Sequence, residues 1–125
     1  MPAHKLTNSE IDILAVLWRL GPSTVRQIHE ELRGVRDSGY TTILKLLQLM
    51  VEKGLVVRDD QNRAHVYRAT QAPETTRRAL VTDLVERAFD GSAHQLALQA
   101  LGAHKATPEE MAEIRRLLDD WEKEQ

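Results

Sequence analysis

Catalysis needs nucleophiles, acids, bases or metal ligands brought together, and this chain offers few such groupings. It has no cysteine, which removes thiol nucleophiles, thiolate zinc sites, iron–sulfur clusters and disulfides together. The five histidines, His4, His29, His65, His94 and His104, fall on different predicted elements and never at metal-ligand spacing. No glycine-rich phosphate loop appears, and no serine sits in a nucleophile elbow. The adjacent carboxylates Asp59 and Asp60 stand in the run Asp59-Asp60-Gln61-Asn62-Arg63, where such residues favour the bend itself, so a solvated turn is expected. Catalytic residues, metal ligands and cofactors are not expected. The polar groups with a coherent arrangement are Tyr40, Thr41, Thr42, Lys45 and Gln48, one helical stretch of hydroxyls, an ammonium and an amide. These groups suit phosphate oxygens and the edges of bases: lysine can meet a phosphate or guanine, and glutamine can pair with adenine through two hydrogen bonds.

The elements that must position them are legible from periodicity. Thr7-Asn8-Ser9-Glu10 has capping-box spacing, with Leu6 and Ile11 placed as a hydrophobic staple. Ile11, Leu14, Leu17 and Trp18 continue a first helix, which Gly21-Pro22 stops. A second, short helix starts at Thr24, with Gln27 as box partner and Val25, Ile28 and Leu32 as its stripe. The third helix spans about Ser38 or Gly39 to Lys53, with Gly54 as C-cap. It places Tyr40, Ile43, Leu44, Leu46, Leu47, Met50 and Val51 on one arc and Thr41, Thr42, Lys45, Gln48 and Glu52 on the other. On this geometry the Tyr40 ring packs on the core and only its hydroxyl reaches outward. Leu49 interrupts the polar arc, where it would pack beneath the following hairpin or meet a thymine methyl.

After Gly54 the period changes to that of strands. Leu55-Val56-Val57-Arg58 and Ala64-His65-Val66-Tyr67-Arg68 read as a two-stranded hairpin. Three helices followed by a hairpin is the winged helix-turn-helix pattern, in which the third helix enters the DNA major groove with its N-terminal residues at the base edges. Arg63 and His65 of the wing, with Arg58 and Arg68, then meet phosphates, as does Arg26 at the start of the second helix.

A second section opens at Pro73. Leu80, Val81, Leu84, Val85, Ala88 and Phe89 form one amphipathic helix; Ser92 starts another that Gly102 closes near Leu101. Thr107-Pro108-Glu109-Glu110 opens a third, carrying Met111, Ile114, Leu117, Leu118 and Trp121 on one face. Three such helices in about 50 residues cannot hide every apolar stripe, so a symmetric homodimer through Leu80, Leu84, Phe89, Leu96, Leu117, Leu118 and Trp121 is expected. The expected fold is thus mostly α with a small β-hairpin: a winged helix-turn-helix over residues 1–70 and a three-helix dimerisation domain over 71–125. Charge divides along the same line, +2 in residues 1–70 and −4 in 71–125. No apolar run approaches the roughly 18 residues of a membrane span, and the first 20 residues lack signal-peptide order, so a cytoplasmic protein without membrane insertion is expected. The same wing and helix would also serve a protein–protein adaptor, and a ligand-gated regulator is a third reading; the polar arc and arginine-bearing wing favour DNA.

With these residues set out, nearly the whole chain resembles the penicillinase repressor family (BlaI/MecI/CopY) of bacterial winged-helix regulators. The likeness is most specific in Gly39-Tyr40-Thr41-Thr42-Ile43-Leu44-Lys45-Leu46-Leu47-Gln48 and Glu52-Lys53-Gly54-Leu55-Val56. It extends to Leu6–Trp18, Thr24-Val25-Arg26-Gln27-Ile28, Arg63-Ala64-His65-Val66-Tyr67, Phe89-Asp90-Gly91-Ser92 and Thr107–Leu118. The resemblance implies a homodimeric repressor on a palindromic operator of double-stranded DNA. It also implies relief of repression by cleavage in the C-terminal domain, triggered by a membrane metallopeptidase sensor or carried out by a downstream protease. Many relatives have arginine where this chain has Leu49, and the family's Asn-Phe cleavage bond falls at Gln99-Ala100. The copper-responsive branch senses through cysteines, which this chain lacks.

Overall fold

The computed structural model describes residues 5–60 and 63–125; His4, and Gln61 and Asn62 of the turn expected from the sequence, lie outside the described residues. The elements run α1 (Asn8–Leu20), β1 (Ser23–Thr24), α2 (Val25–Leu32), α3 (Tyr40–Glu52), β2 (Val56–Asp59), β3 (Val66–Ala69), α4 (Pro73–Ala88), α5 (Ala93–Ala103) and α6 (Pro108–Glu124). They form two compact units, one reaching to Val81 and the other spanning Thr82–Gln125.

In the first unit the caps fall where the sequence places them. Glu10 N–H donates to Thr7 Oγ1 at 3.1 Å, and Thr7 N–H donates to Glu10 Oε1 at 2.9 Å. Thr24 and Gln27 repeat this reciprocal arrangement at the start of α2. Helix α3 ends in a glycine turn: Gly54 takes φ 78°, and the Leu55 and Gly54 N–H groups donate to the Met50 and Val51 carbonyls. The chain reverses there and enters β2.

The core joins Ile13, Leu14, Val16 and Leu17 of α1, Val25, Ile28 and Leu32 of α2, and Ile43, Leu47 and Met50 of α3. Val56 and Tyr67 close it from the sheet. Helix α1 touches α2, α3 and β3, so its buried surface is wider than the expected stripe; Ile13 and Val16 are fully inside, while Ile11 and Trp18 are only partly covered.

The expected two-stranded hairpin is part of a three-stranded antiparallel sheet in the order β1-β3-β2. Strand β1 pairs Ser23 with Tyr67 and Thr24 with Val66. Two residues are too few to carry an alternating pattern, and Thr24 also caps α2, so only the tertiary pairing reveals a strand. The wing strand begins at Val66, with Ala64 and His65 still in the approach from the turn.

Glu10 ties the frame together. It is 2% exposed, and Lys53 Nζ, from the C-cap of α3, donates to Glu10 Oε2 at 2.6 Å. Burial pushes its pKa up, but the Lys53 hydrogen bond and charge, with the Thr7 N–H, outweigh this and hold it below the usual carboxylate value.

In the second unit, Ser92 caps α5 by accepting from the Gln95 N–H, and Thr107 with Glu110 forms a capping box on α6 behind Pro108. Helix α5 continues through Gly102 to Ala103 rather than closing at the glycine. No described residue of α4, α5 or α6 is buried.

Replacing Lys53 with Met leaves a buried carboxylate without its cation. Urea unfolding is expected to show a loss of about 1–2 kcal/mol at pH 7, less than for a fully buried pair because Lys53 is partly exposed. Since the folded Glu10 pKa is depressed, the stabilisation exists above the unfolded value of about 4.3 and is lost as pH falls through the folded value. The difference between wild type and Lys53→Met should therefore shrink over that acid range.

Candidate nucleic-acid interface

Helix α3 buries Ile43, Leu47 and Met50 and turns Tyr40, Thr41, Thr42, Lys45, Gln48 and Leu49 to the surface. Gly39, its N-cap, supplies no side-chain cap, so the first-turn N–H groups carry no side-chain acceptor from that position. The hydroxyls, the ammonium and the amide thus share one accessible side with the positive end of the helix dipole at its start. Tyr40 departs from expectation. Its ring is 50% exposed and meets His29 edge-on, with centroids 6.3 Å apart, instead of packing on the core. As the first residue of α3 it extends past the surface that the core covers. Leu49 is 45% exposed and stands outside the core cluster. An open cleft between α3 and the wing is lined by Gln48, Val51, Arg58, Asp60 and Tyr67 among others, but not by Leu49.

Of the basic residues expected to meet DNA, Arg26, Lys45 and Arg63 are exposed and form no ion pair with any described residue. His65 is exposed but engaged: its Nδ1 lies 2.8 Å from Asp60 Oδ1. Arg58 is held by the same carboxylate, Nε to Oδ1 at 2.7 Å and Nη2 to Oδ2 at 3.1 Å. That hydrogen bond and charge raise the Arg58 pKa further. Asp60 is therefore no merely solvated turn residue. It bridges the two arms of the wing, a role its sequence neighbours do not announce because Arg58 and His65 converge only once the hairpin closes. Arg33, Arg36 and Arg19 are engaged with Glu30, Asp12 and Glu31.

In the second unit Leu84, Leu117, Leu118 and Trp121 are exposed, Trp121 by 52%, and Phe89 and Leu96 are half-buried; Leu80, also half-buried, belongs to the first unit. Gln99 and Ala100 lie inside α5, exposed but helical. Among the described residues no group of histidines and carboxylates has the makings of a metal site, and no helix is long and apolar enough to cross a membrane.

Three helices, a short third strand and a wing, with the third helix presenting its polar side, define a winged helix-turn-helix. A penicillinase repressor profile matches residues 6–120. The chain belongs to the penicillinase repressor family, and it is a transcriptional regulator of that family. The transcriptional regulator BlaI of Mycobacterium tuberculosis, from two strains, is 33% identical over 123 residues, covering 94% of this chain and 86% of that protein. A point mutant of Lactococcus lactis ZitR aligns over 99% of this chain and 78% of its own, with a TM-score of 0.49 and 24% identity.

Tyr67, on the inner side of the wing, is fully buried, and its hydroxyl has no hydrogen-bond partner among the described residues. Arg58, opposite it across the ladder, is close enough to act as a weak donor and to attract it by charge, but the pair does not reach hydrogen-bond geometry. Because an unpaired buried hydroxyl opposes folding, Tyr67→Phe is expected to raise stability by about 0.5–1 kcal/mol in urea unfolding. A loss instead would mean that the hydroxyl is bonded in solution.

Proposed function

We propose that this chain is a homodimeric repressor that reads a palindromic operator through α3 and grips its backbone with the wing. The observation that carries this reading is the division of α3: Ile43, Leu47 and Met50 hold it in the core while Thr41, Thr42, Lys45 and Gln48 stay exposed. Such a helix fits the major groove, where Gln48 and the threonines meet base edges and Lys45 a phosphate or guanine. Tyr40 joins them through its exposed hydroxyl. Arg26, Arg63 and His65 supply the sequence-independent hold.

Dimerisation is supported by the second unit, whose apolar side chains lack intramolecular cover. Leu84, Leu117, Leu118 and Trp121 would be buried against a second copy, together with Phe89 and Leu96 of the same unit and with Leu80 of α4. Two linked reading heads on one duplex raise effective concentration, so anything that parts the dimer releases DNA without touching a contact residue.

Derepression would then act on the C-terminal helices. A cut at Gln99–Ala100 requires α5 to unwind, since those residues are helical. The Gln-Ala chemistry fits a protease of different specificity from the family's Asn-Phe cleavage, whether downstream of a membrane metallopeptidase sensor or independent of one.

Fluorescence anisotropy with duplexes enriched from a random pool, and with the pool itself, tests the reading. Lys45→Ala or Arg63→Ala should each flatten the log–log salt dependence by about one unit per protomer. Gln48→Ala should cost about 1–3 kcal/mol on enriched duplex and almost nothing on the pool. Equal losses on both would show that Gln48 reads no base. For the dimer, Trp121→Asp with Leu118→Asp should sediment as a monomer and bind DNA far more weakly; an unchanged dimer would place the interface elsewhere.

A further inference from the structure

Asp60 is an acidic residue at the centre of a wing whose other charged side chains include Arg58, Arg63 and Arg68. Its negative charge would oppose phosphate binding, yet both its oxygens are used. Oδ1 meets Arg58 Nε at 2.7 Å and His65 Nδ1 at 2.8 Å, and Oδ2 meets Arg58 Nη2 at 3.1 Å. One carboxylate thus joins Arg58 of β2 to the residue just before β3. The two-point contact fixes the plane of the guanidinium, because its fork matches a carboxylate. The imidazole is fixed as well: with Nδ1 committed to Asp60, Nε2 is left for an outside partner.

We propose that Asp60 is a specificity-determining positioning residue of the wing. Resting on the DNA-binding reading above, it holds Arg58 and His65 as one preformed unit and withholds Arg58 from indiscriminate phosphate contact. A loosely seated duplex meets an ion pair already satisfied and gains little from it. A well-seated duplex brings a phosphate to the outer N–H groups of the oriented guanidinium and to His65 Nε2. The carboxylate therefore weakens binding to all DNA but weakens loose binding more, and discrimination is the difference between the two.

The test uses the full chain, with affinity and salt dependence measured on a random-sequence duplex pool and on duplexes enriched from it. Asp60→Asn keeps the shape and removes the charge. It is expected to bind the pool several-fold more tightly, to steepen the salt dependence by about one unit per protomer, and to lower the ratio of enriched to pool affinity. Asp60→Glu, which retains the charge, should stay close to wild type in all three. In an Arg58→Gln background the gain from Asp60→Asn should disappear, because its agent is the freed guanidinium. The same gain in both backgrounds would overturn the proposal in favour of a bulk charge effect, as would an Asp60→Asn chain whose pool affinity and salt dependence match wild type. Wild-type chain that shows no salt-dependent DNA binding would instead remove the DNA-binding reading itself, and the proposal with it. Asp60 is half exposed, and thermal melting by circular dichroism confirms that each variant compared is folded.

Discussion

A carboxylate buried in a small core has to be answered, and in this chain the answer builds the frame. Glu10 closes the capping box of α1 and also receives Lys53 from the end of α3, 43 residues away in sequence. Burial alone would push its proton back on; Lys53 and Thr7 keep it charged. The consequence is positional. The start of α1 and the end of α3 are tied to each other, and the turn at Gly54 that launches the wing follows directly after Lys53. Helix α3 is therefore anchored at its C-terminal end, while Tyr40, Thr41 and Thr42 at its start stay exposed.

The two units solve the problem of apolar surface differently. The first satisfies itself: twelve apolar residues from three helices and two strands form one cluster. The second has correct caps, a proline at the start of α6 and regular helices, yet no described residue of α5 or α6 is buried. Local signals are enough to make helices, but burial needs a surface to face, and three short helices enclose too little volume to provide one. This asymmetry is the physical basis of the proposed division between a DNA-reading part and an associating part.

Charge is arranged as economically as apolar surface. Arg19, Arg33 and Arg36 are consumed by carboxylates of the α1–α2 region, whereas Arg26, Lys45 and Arg63 are left without a described ion-pair partner on the surfaces that α2, α3 and the wing present. The weak overall charge of the first half therefore hides a sorted distribution. Arg77 takes yet another role, its guanidinium lying 5.3 Å from the Trp18 ring centre and fastening the first turns of α4 to α1. That contact lies within the first unit, which takes in the beginning of α4 up to Val81.

By itself the sequence determined every helix, most of the caps, the wing and the polar side of α3, because those follow from local rules. A threonine followed three residues on by glutamate or glutamine caps a helix, a glycine at positive φ ends one, and apolar periodicity tells helix from strand. The family likeness lay in the same local runs. The tertiary structure alone decided what depends on partners distant in sequence. It decided the two-residue β1, which exists only by pairing with β3; the exposure of Tyr40, set by where the core ends; and the union of Glu10 with Lys53. Asp60 is the clearest case. In the sequence it is one acid in a turn, and only when β2 and β3 lie side by side do Arg58 and His65 arrive at the same two oxygens.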